Sequence, residues 1–340
     1  MKRGLLLMAV TVVSLILVAT LSFAGCKATP ATETAAETTA AETSAEEVST
    51  ETPAETSAVA FKAGVVLPTM NVFYLALQNG VVGAIEEAGG EAIVLTSQQY
   101  KPAVELANVE DLIQQGIDVL FIDASDLVAS SPSIELANKA NVPVIGLNQR
   151  TESGKFVTVV ATNNYEAGKL AAEFVMEQIE YKGEVAIING PPVPAVLDRI
   201  KAFKDVVAQY PDVKIVADQM MGNTIAEGIS VAENILQANP ELDGFLGMND
   251  FAFLGALTAL QNANKVGEVA IGAIDGIPEV VQILAAGLAP KCATAAQLPV
   301  DIGKKAVQAY LDYRDGKDVP QDIQIDSILI TKDNAQGFSW

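Results

Sequence analysis

Histidine is absent from all 340 residues, and no other feature of the chain removes as much chemistry. No Ser-His-Asp or Cys-His nucleophile system can be built, no helical His-Glu-x-x-His zinc site exists, and imidazole acid–base work is excluded. Cysteine occurs only at Cys26 and Cys292, near opposite ends, so neither a disulfide framework nor a Cys-x-x-Cys site is available. Cations are scarce as well. The chain carries 21 Lys and Arg against 42 Asp and Glu, a net charge of −21, which argues against nucleic acid or an anionic membrane surface as the direct partner. No G-x-G-x-x-G follows a strand-like run, and Gly190-Pro191-Pro192 lacks the spacing and lysine of a P-loop. No EF-hand loop appears either, so no metal or cofactor is expected. What remains is a chain that is 50% hydrophobic, with enough apolar residues for a large core and enough length for two lobes.

The N-terminus reads as an export signal. Lys2 and Arg3 precede an uncharged apolar run, Leu5 to Phe23, and then Phe23-Ala24-Gly25-Cys26. An uncleaved transmembrane anchor is one reading of that run. The small residues before a cysteine instead resemble the lipobox of bacterial lipoproteins, in which the signal is cut before the cysteine and the thiol is acylated. Phe23 stands where leucine is usual, with Leu21 close by. The expectation is a signal peptide over 1–25, lipidation at Cys26, and a body held at the membrane outside the cytoplasm. Residues 27–58 contain nine Ala, nine Thr and seven Glu, with Val48 as the one larger aliphatic. Such a segment cannot bury enough apolar area to offset chain entropy, so it is expected to be a disordered tether; its threonines and prolines weigh against the helical alternative.

From Phe61 onward the pattern alternates. Strand-like runs at Phe61–Leu67, Ala92–Leu95, Val119–Ile122 and Val142–Leu147 enclose helical patterns at Phe73–Glu87, Ala103–Gln115 and Pro132–Lys139. Leu106, Val109, Leu112 and Ile113 form one face of the second helix, with Gly116 as its stop. A second set follows: strands at Val185–Ile188, Val213–Ala217, Gly244–Gly247 and Ala270–Ile274, with helices near 194–209, 224–238, 250–262 and 278–286. Asn164, as a helix N-cap, opens the segment between the sets. Pro299 opens a late helix to Tyr313 with Ile302, Ala306, Ala309 and Tyr313 on its apolar side, and a strand over Ile323–Ile330 ends the pattern. Buried strands alternating with helices indicate parallel sheets with right-handed crossovers, here as two similar α/β lobes divided near residue 162. Asp123 and Asp126 fall at the C-terminal end of a strand, where open α/β sheets bind ligands, although loop capping explains them equally well. A two-carboxylate glycosidase remains open, since that chemistry needs only Asp and Glu, but no long insertions build a separate catalytic cleft.

Six segments narrow the reading. They are Asn71-Val72-Phe73-Tyr74 after Val65-Val66; Glu105 through Leu112; Asn141-Val142-Pro143-Val144-Ile145; Asn249-Asp250 with Leu254-Gly255-Ala256-Leu257; Ile274-Asp275-Gly276; and Ala296-Gln297-Leu298-Pro299. In this order and spacing, residues 61–335 resemble the ribose-binding branch of the periplasmic sugar-binding proteins, the type I solute-binding proteins of ABC transporters. The resemblance implies two Rossmann-like lobes joined by three crossings, without enzymatic activity and without a cofactor. Lobe one would hold 59–162 and 296–322, lobe two 163–295 and 323–335, with 336–340 as a tail. Crossings would lie near Asn163-Asn164 and Ala295-Ala296. A monosaccharide or polyol would be enclosed between the lobes and passed to an ABC transporter permease, with a chemoreceptor or sensor kinase as a further partner.

Position by position, the resemblance implies ligand contacts at Asn71, Phe73, Tyr74, Arg199, Asn249, Asp275 and Gln297, with Asn164 beside the hinge. Aromatic faces cover the C–H face of a sugar, while amides, carboxylate and guanidinium satisfy its hydroxyls. Ordinary readings stand beside these: Phe73 and Tyr74 as core, Asn249 and Gln297 as helix caps, Asp275-Gly276 as a turn. Where the family places the contact pair Asp-Arg after Val144-Ile145-Gly146-Leu147, this chain has Asn148-Gln149-Arg150, and these three positions complete the eleven contacts the resemblance implies. A carboxylate has become an amide and the guanidinium is lost or displaced by one residue. Ile200-Lys201-Ala202 replaces the glycines expected after Arg199, and Leu67-Pro68 replaces a serine-like position. These departures argue against ribose specificity and for a differently oriented sugar, a polyol or another hydroxylated molecule.

Overall fold

The computed structural model describes residues 60–340. The segments assigned to the signal peptide, Cys26 and the tether lie outside the described residues. Two six-stranded sheets organise the body. The first contains β1 (Lys62–Leu67), β2 (Glu91–Thr96), β3 (Val119–Ile122), β4 (Val144–Leu147), β5 (Thr158–Thr162) and β11 (Asp322–Ile325), in the order β2-β1-β3-β4-β5-β11 and parallel throughout. The second contains β6 (Gly183–Asn189), β7 (Val213–Met220), β8 (Gly244–Gly247), β9 (Ala270–Asp275), β10 (Cys292–Ala296) and β12 (Ile328–Ile330), in the order β7-β6-β8-β9-β10-β12. Only the β10–β12 pair is antiparallel.

Helices cover both faces of each sheet. Lobe one carries α1 (Val72–Glu87), α2 (Pro102–Gln114), α3 (Ser131–Lys139) and α9 (Pro299–Arg314); lobe two carries α4 (Asn164–Gln178), α5 (Pro194–Val207), α6 (Ile225–Ala238), α7 (Asp250–Asn262) and α8 (Pro278–Ala285). Strands β3, β4 and β8 are buried along their whole length, which is why they read as unbroken apolar runs and not as alternating ones. Helix α9 lies against α1 at backbone contact. A Cβ on Gly80 would stand 2.3 Å from the Val300 carbonyl oxygen, and one on Gly303 2.5 Å from the Val81 nitrogen, so glycine is required on both helices.

Several expectations need correction. Strands β5 and β10 were not anticipated; β10 reads Cys-Ala-Thr-Ala-Ala, with none of the bulky β-branched residues that mark a strand. The run Ile323–Ile330 is not one strand. It breaks at Asp326-Ser327, and its halves pair in different sheets, β11 with β5 and β12 with β10. Residues 323–325 therefore belong with lobe one and Ala296 with lobe two, because alternation along a chain carries no information about which sheet it joins. The second crossing falls accordingly at Gln297-Leu298. On α9, Tyr310 is buried while Tyr313 is 47% exposed. The N-cap of α4 is Asn163, whose side chain accepts from the Glu166 N–H at 3.2 Å; Asn164 is already inside the helix.

Candidate functional site

In a parallel sheet every strand delivers its C-terminal end to the same edge, and ligands gather there. The two lobes turn these edges toward each other around a cavity of about 430 Å³. From lobe one come Asn71, Phe73 and Tyr74 after β1, Tyr100 after β2, Ser125–Leu127 after β3, and Asn148 and Gln149 after β4. From lobe two come Pro191–Pro194 and Arg199 after β6, Asn223 after β7, Met248, Asn249 and Phe251 after β8, Asp275 as the last residue of β9 with Ile277 beyond it, and Gln297 after β10.

Local structure sets each group. Asn71 is the N-cap of α1, accepting from the Tyr74 N–H at 3.1 Å, and so fixes the turn that presents Phe73 and Tyr74. Those two rings meet edge to face at 5.3 Å. Tyr74 belongs to the lobe-one core and also lines the cavity, so both readings of it hold. The Tyr100 hydroxyl donates to that of Tyr74 at 3.3 Å. Phe73 also meets Trp340 edge to face at 6.3 Å, although Trp340 packs on the lobe-two core. Asn249 is both N-cap and lining residue: its Oδ1 accepts from the Ala252 N–H, and its Nδ2 donates to Asn223 Oδ1 at 2.8 Å.

The lobe-two floor is a charge pair in a dry setting. Arg199 is 6% exposed. Its Nη1 donates to the Met248 carbonyl at 3.0 Å and to Asp275 Oδ1 at 3.4 Å, and its Nε donates to Asn164 Oδ1 at 2.8 Å. Helix α4 holds it there by contact: a Cβ on Gly168 would fall 2.7 Å from the Arg199 carbonyl oxygen. Gln297 Nε2 donates to the same Asp275 oxygen at 2.7 Å. Asp275 has a φ of 137°, a conformation rare for any residue with a Cβ. It persists because the Gln297 N–H bonds its carbonyl at 2.9 Å and the Gly276 N–H bonds Thr294 Oγ1 at 3.1 Å. Behind it lies buried Asp250, bonded by the Thr294 hydroxyl and the Ile277 N–H. Burial raises the pKa of both acids; the Asp275 charge adds to the rise at Asp250, and Arg199 opposes the rise at Asp275.

Nine of the eleven expected contact residues line this cavity. Asn164 does not; it is buried behind Arg199 as its hydrogen-bond acceptor. Arg150 does not either. Its guanidinium turns away to pair with Asp322 at the β11 end of the sheet, so the displaced arginine leaves no cation in lobe one's wall. Gln297 caps no helix, since the α9 N-cap is Leu298 without a side-chain bond. Asp126 lines the cavity and also accepts from the Val128 and Ala129 N–H groups, at 2.8 and 2.7 Å. Tyr100, Asn223, Met248 and Phe251 were missed, yet each follows a strand end, and that position was the available signal.

Asp123 lies one layer behind the wall, fully buried, with the Asn148 and Gln149 amide nitrogens at 3.4 and 3.5 Å. Burial raises its pKa well above the carboxylate range, and the amide bonds only partly offset this. A carboxyl raised in the folded state stabilises the fold fully below its unfolded pKa, and the contribution is lost as pH rises through the folded value. Asp123→Asn should therefore raise the melting temperature at pH 8 and change it little at pH 4. Thermal denaturation at the two pH values checks this; an equal or inverted effect would place no proton on Asp123.

Known proteins match this geometry. The periplasmic binding protein domain matches residues 63–318. The ribose import binding protein RbsB of Escherichia coli is 32% identical over 269 residues, covering 79% of this chain and 89% of that protein. The D-apiose import binding protein of Actinobacillus succinogenes is 30% identical over 275 residues, 78% of this chain and 86% of its own length. Among solved structures, an ABC transporter periplasmic solute-binding protein from Actinobacillus succinogenes with bound D-allose is 27% identical, with a TM-score of 0.76, covering 82% of this chain and 99% of that one. Two lobes of parallel strands and interleaved helices, joined by three crossings, are the type I form of this fold. On sequence and architecture together, the chain belongs to the periplasmic binding protein family.

Proposed function

We propose that this protein captures a neutral sugar or polyol between its lobes and hands it to an ABC transporter permease, performing no chemistry on it. The observation that carries the reading is the joint lining of one cavity by aromatic rings from lobe one and a neutralised Arg199–Asp275 pair from lobe two. Apolar ring faces suit C–H groups, and the polar network suits hydroxyls. Because Arg199 is already matched by Asp275, no cation is left over for an acidic or phosphorylated ligand. Asn148 and Gln149, with Asp123 withdrawn behind them, support a hydroxyl pattern other than that of ribose. The body works outside the cytoplasm, held at the membrane by lipid on Cys26. The two carboxylates at the cavity are engaged, Asp275 by Arg199 and Gln297, Asp126 by backbone N–H groups, which supports binding over glycoside hydrolysis.

A thermal-shift panel of D-ribose, D-apiose, D-allose, D-arabinose and xylitol, with sugar phosphates as the contrast, tests the reading. A ligand at a hundred times its Kd stabilises the fold by about 2.7 kcal/mol, so at least one neutral member should raise the melting temperature by several degrees. A shift from phosphates alone, or from none of the panel, would count against it.

A further inference from the structure

Thr162 and Asn164 sit at the first crossing, where the chain leaves β5 for α4, and neither lines the cavity. Both are buried, at 3% and 7% exposure. Their side chains close a ring with three that do line it. Thr162 Oγ1 donates to Gln297 Oε1 at 2.6 Å, and Gln297 Nε2 donates to Asp275 Oδ1 at 2.7 Å. Asp275 Oδ1 accepts from Arg199 Nη1 at 3.4 Å, Arg199 Nε donates to Asn164 Oδ1 at 2.8 Å, and Asn164 Nδ2 returns to the Thr162 carbonyl at 3.1 Å. The third crossing joins the first beside this ring: the Asn163 N–H donates to the Ile325 carbonyl at 2.9 Å, and Asn163 Nδ2 donates to Asp326 at 3.2 Å.

We infer that Thr162 and Asn164 are positioning residues that couple the hinge to the ligand site. The ring spans the first and second crossings, and three of its members face the cavity. Thr162 ends β5 of lobe one, while Gln297, Asp275, Arg199 and Asn164 lie on or after lobe-two elements, so a rotation of the lobes about these crossings acts on the Thr162–Gln297 bond, and Gln297 shares its other end with Asp275. A ligand hydroxyl that bonds Asp275 or Arg199 biases the same ring from the other side. Neighbouring hydrogen bonds in a low-dielectric network reinforce one another, so the two events share one set of bonds. Differential contact of this kind is what a ligand needs to shift an open–closed equilibrium.

The inference rests on the solute-binding reading, but the two fail separately, because the test requires no sugar. Hydrogen exchange on the full ligand-free chain should compare wild type with Thr162→Val, which keeps shape and loses one hydroxyl. Amides of Asn163 and Gln297 should exchange roughly three- to tenfold faster, the loss of about one buried hydrogen bond, while β3 and β8 amides stay unchanged. Thr162→Ser should restore the wild-type rate. Asn164→Asp, which keeps the acceptor for Arg199 and loses the donor to Thr162, should accelerate the same amides. Uniform acceleration across the core would show a merely structural role, and unchanged crossing amides would show no coupling; either result overturns the inference.

Discussion

Asp275→Ala should weaken sugar binding ten- to a hundredfold or more. A hydrogen bond to a charged partner in a dry site contributes about 1.5–3 kcal/mol, and tenfold in affinity corresponds to about 1.4 kcal/mol. Asp275 is the acceptor on which Gln297 and Arg199 converge, so its removal also unfastens two neighbouring donors. Asp275→Asn should lose less, keeping one acceptor oxygen while surrendering the charge that holds Arg199. Calorimetry with whichever neutral sugar stabilises the wild type is the measurement; unchanged affinity in the alanine variant would remove Asp275 from the site.

Arg199→Met should destabilise the folded body by about 3–5 kcal/mol at neutral pH, the usual cost of stranding a buried charge by removing its partner. The sign of its pH dependence follows from the acids it leaves behind. Arg199 is the main influence lowering the Asp275 pKa against burial, and Asp250 lies behind, already raised by burial and by Asp275. Without the guanidinium, the Asp275 pKa rises further above its unfolded value. A raised acid gives its stability at low pH and loses it as pH climbs through the folded value, so the deficit of the variant should shrink between pH 7 and pH 4. Denaturant titrations at both pH values read this; a deficit independent of pH would mean that packing of the side chain, and not its charge, is what matters.

How much of this was visible beforehand depended on what each feature asks of a sequence. The central strands β3, β4 and β8 and the amphipathic helices announce themselves because burial imposes a period or an apolar run. The strands that flank the crossings do not. β10 needs small residues where Gly276 presses on Ala296, a Cβ on Gly276 approaching to 2.4 Å, and small residues look like nothing in particular. The Asp326-Ser327 break divides two edge strands whose partners lie far away in sequence. At the site, resemblance placed Arg199, Asp275 and Gln297 in one cleft. It could not show that Arg150 turns out to Asp322, or that Asp123 stands behind the two amides, since both depend on which loop faces which. Thr162 carried no signal at all: a threonine at a strand end is ordinary until its hydroxyl is seen on Gln297.

Trp340 is the only tryptophan in the chain. It packs on lobe two with its ring edge to face with Phe73 of lobe one, and its indole Nε1–H is buried without an acceptor. Separation of the lobes withdraws Phe73 and admits water to that N–H, and indole emission moves to longer wavelength when its surroundings become polar. The protein thus carries its own optical gauge of the seam, a single indole that absorbs at longer wavelength than the seven tyrosines and can be excited apart from them. No dye has to be attached to follow its opening in real time.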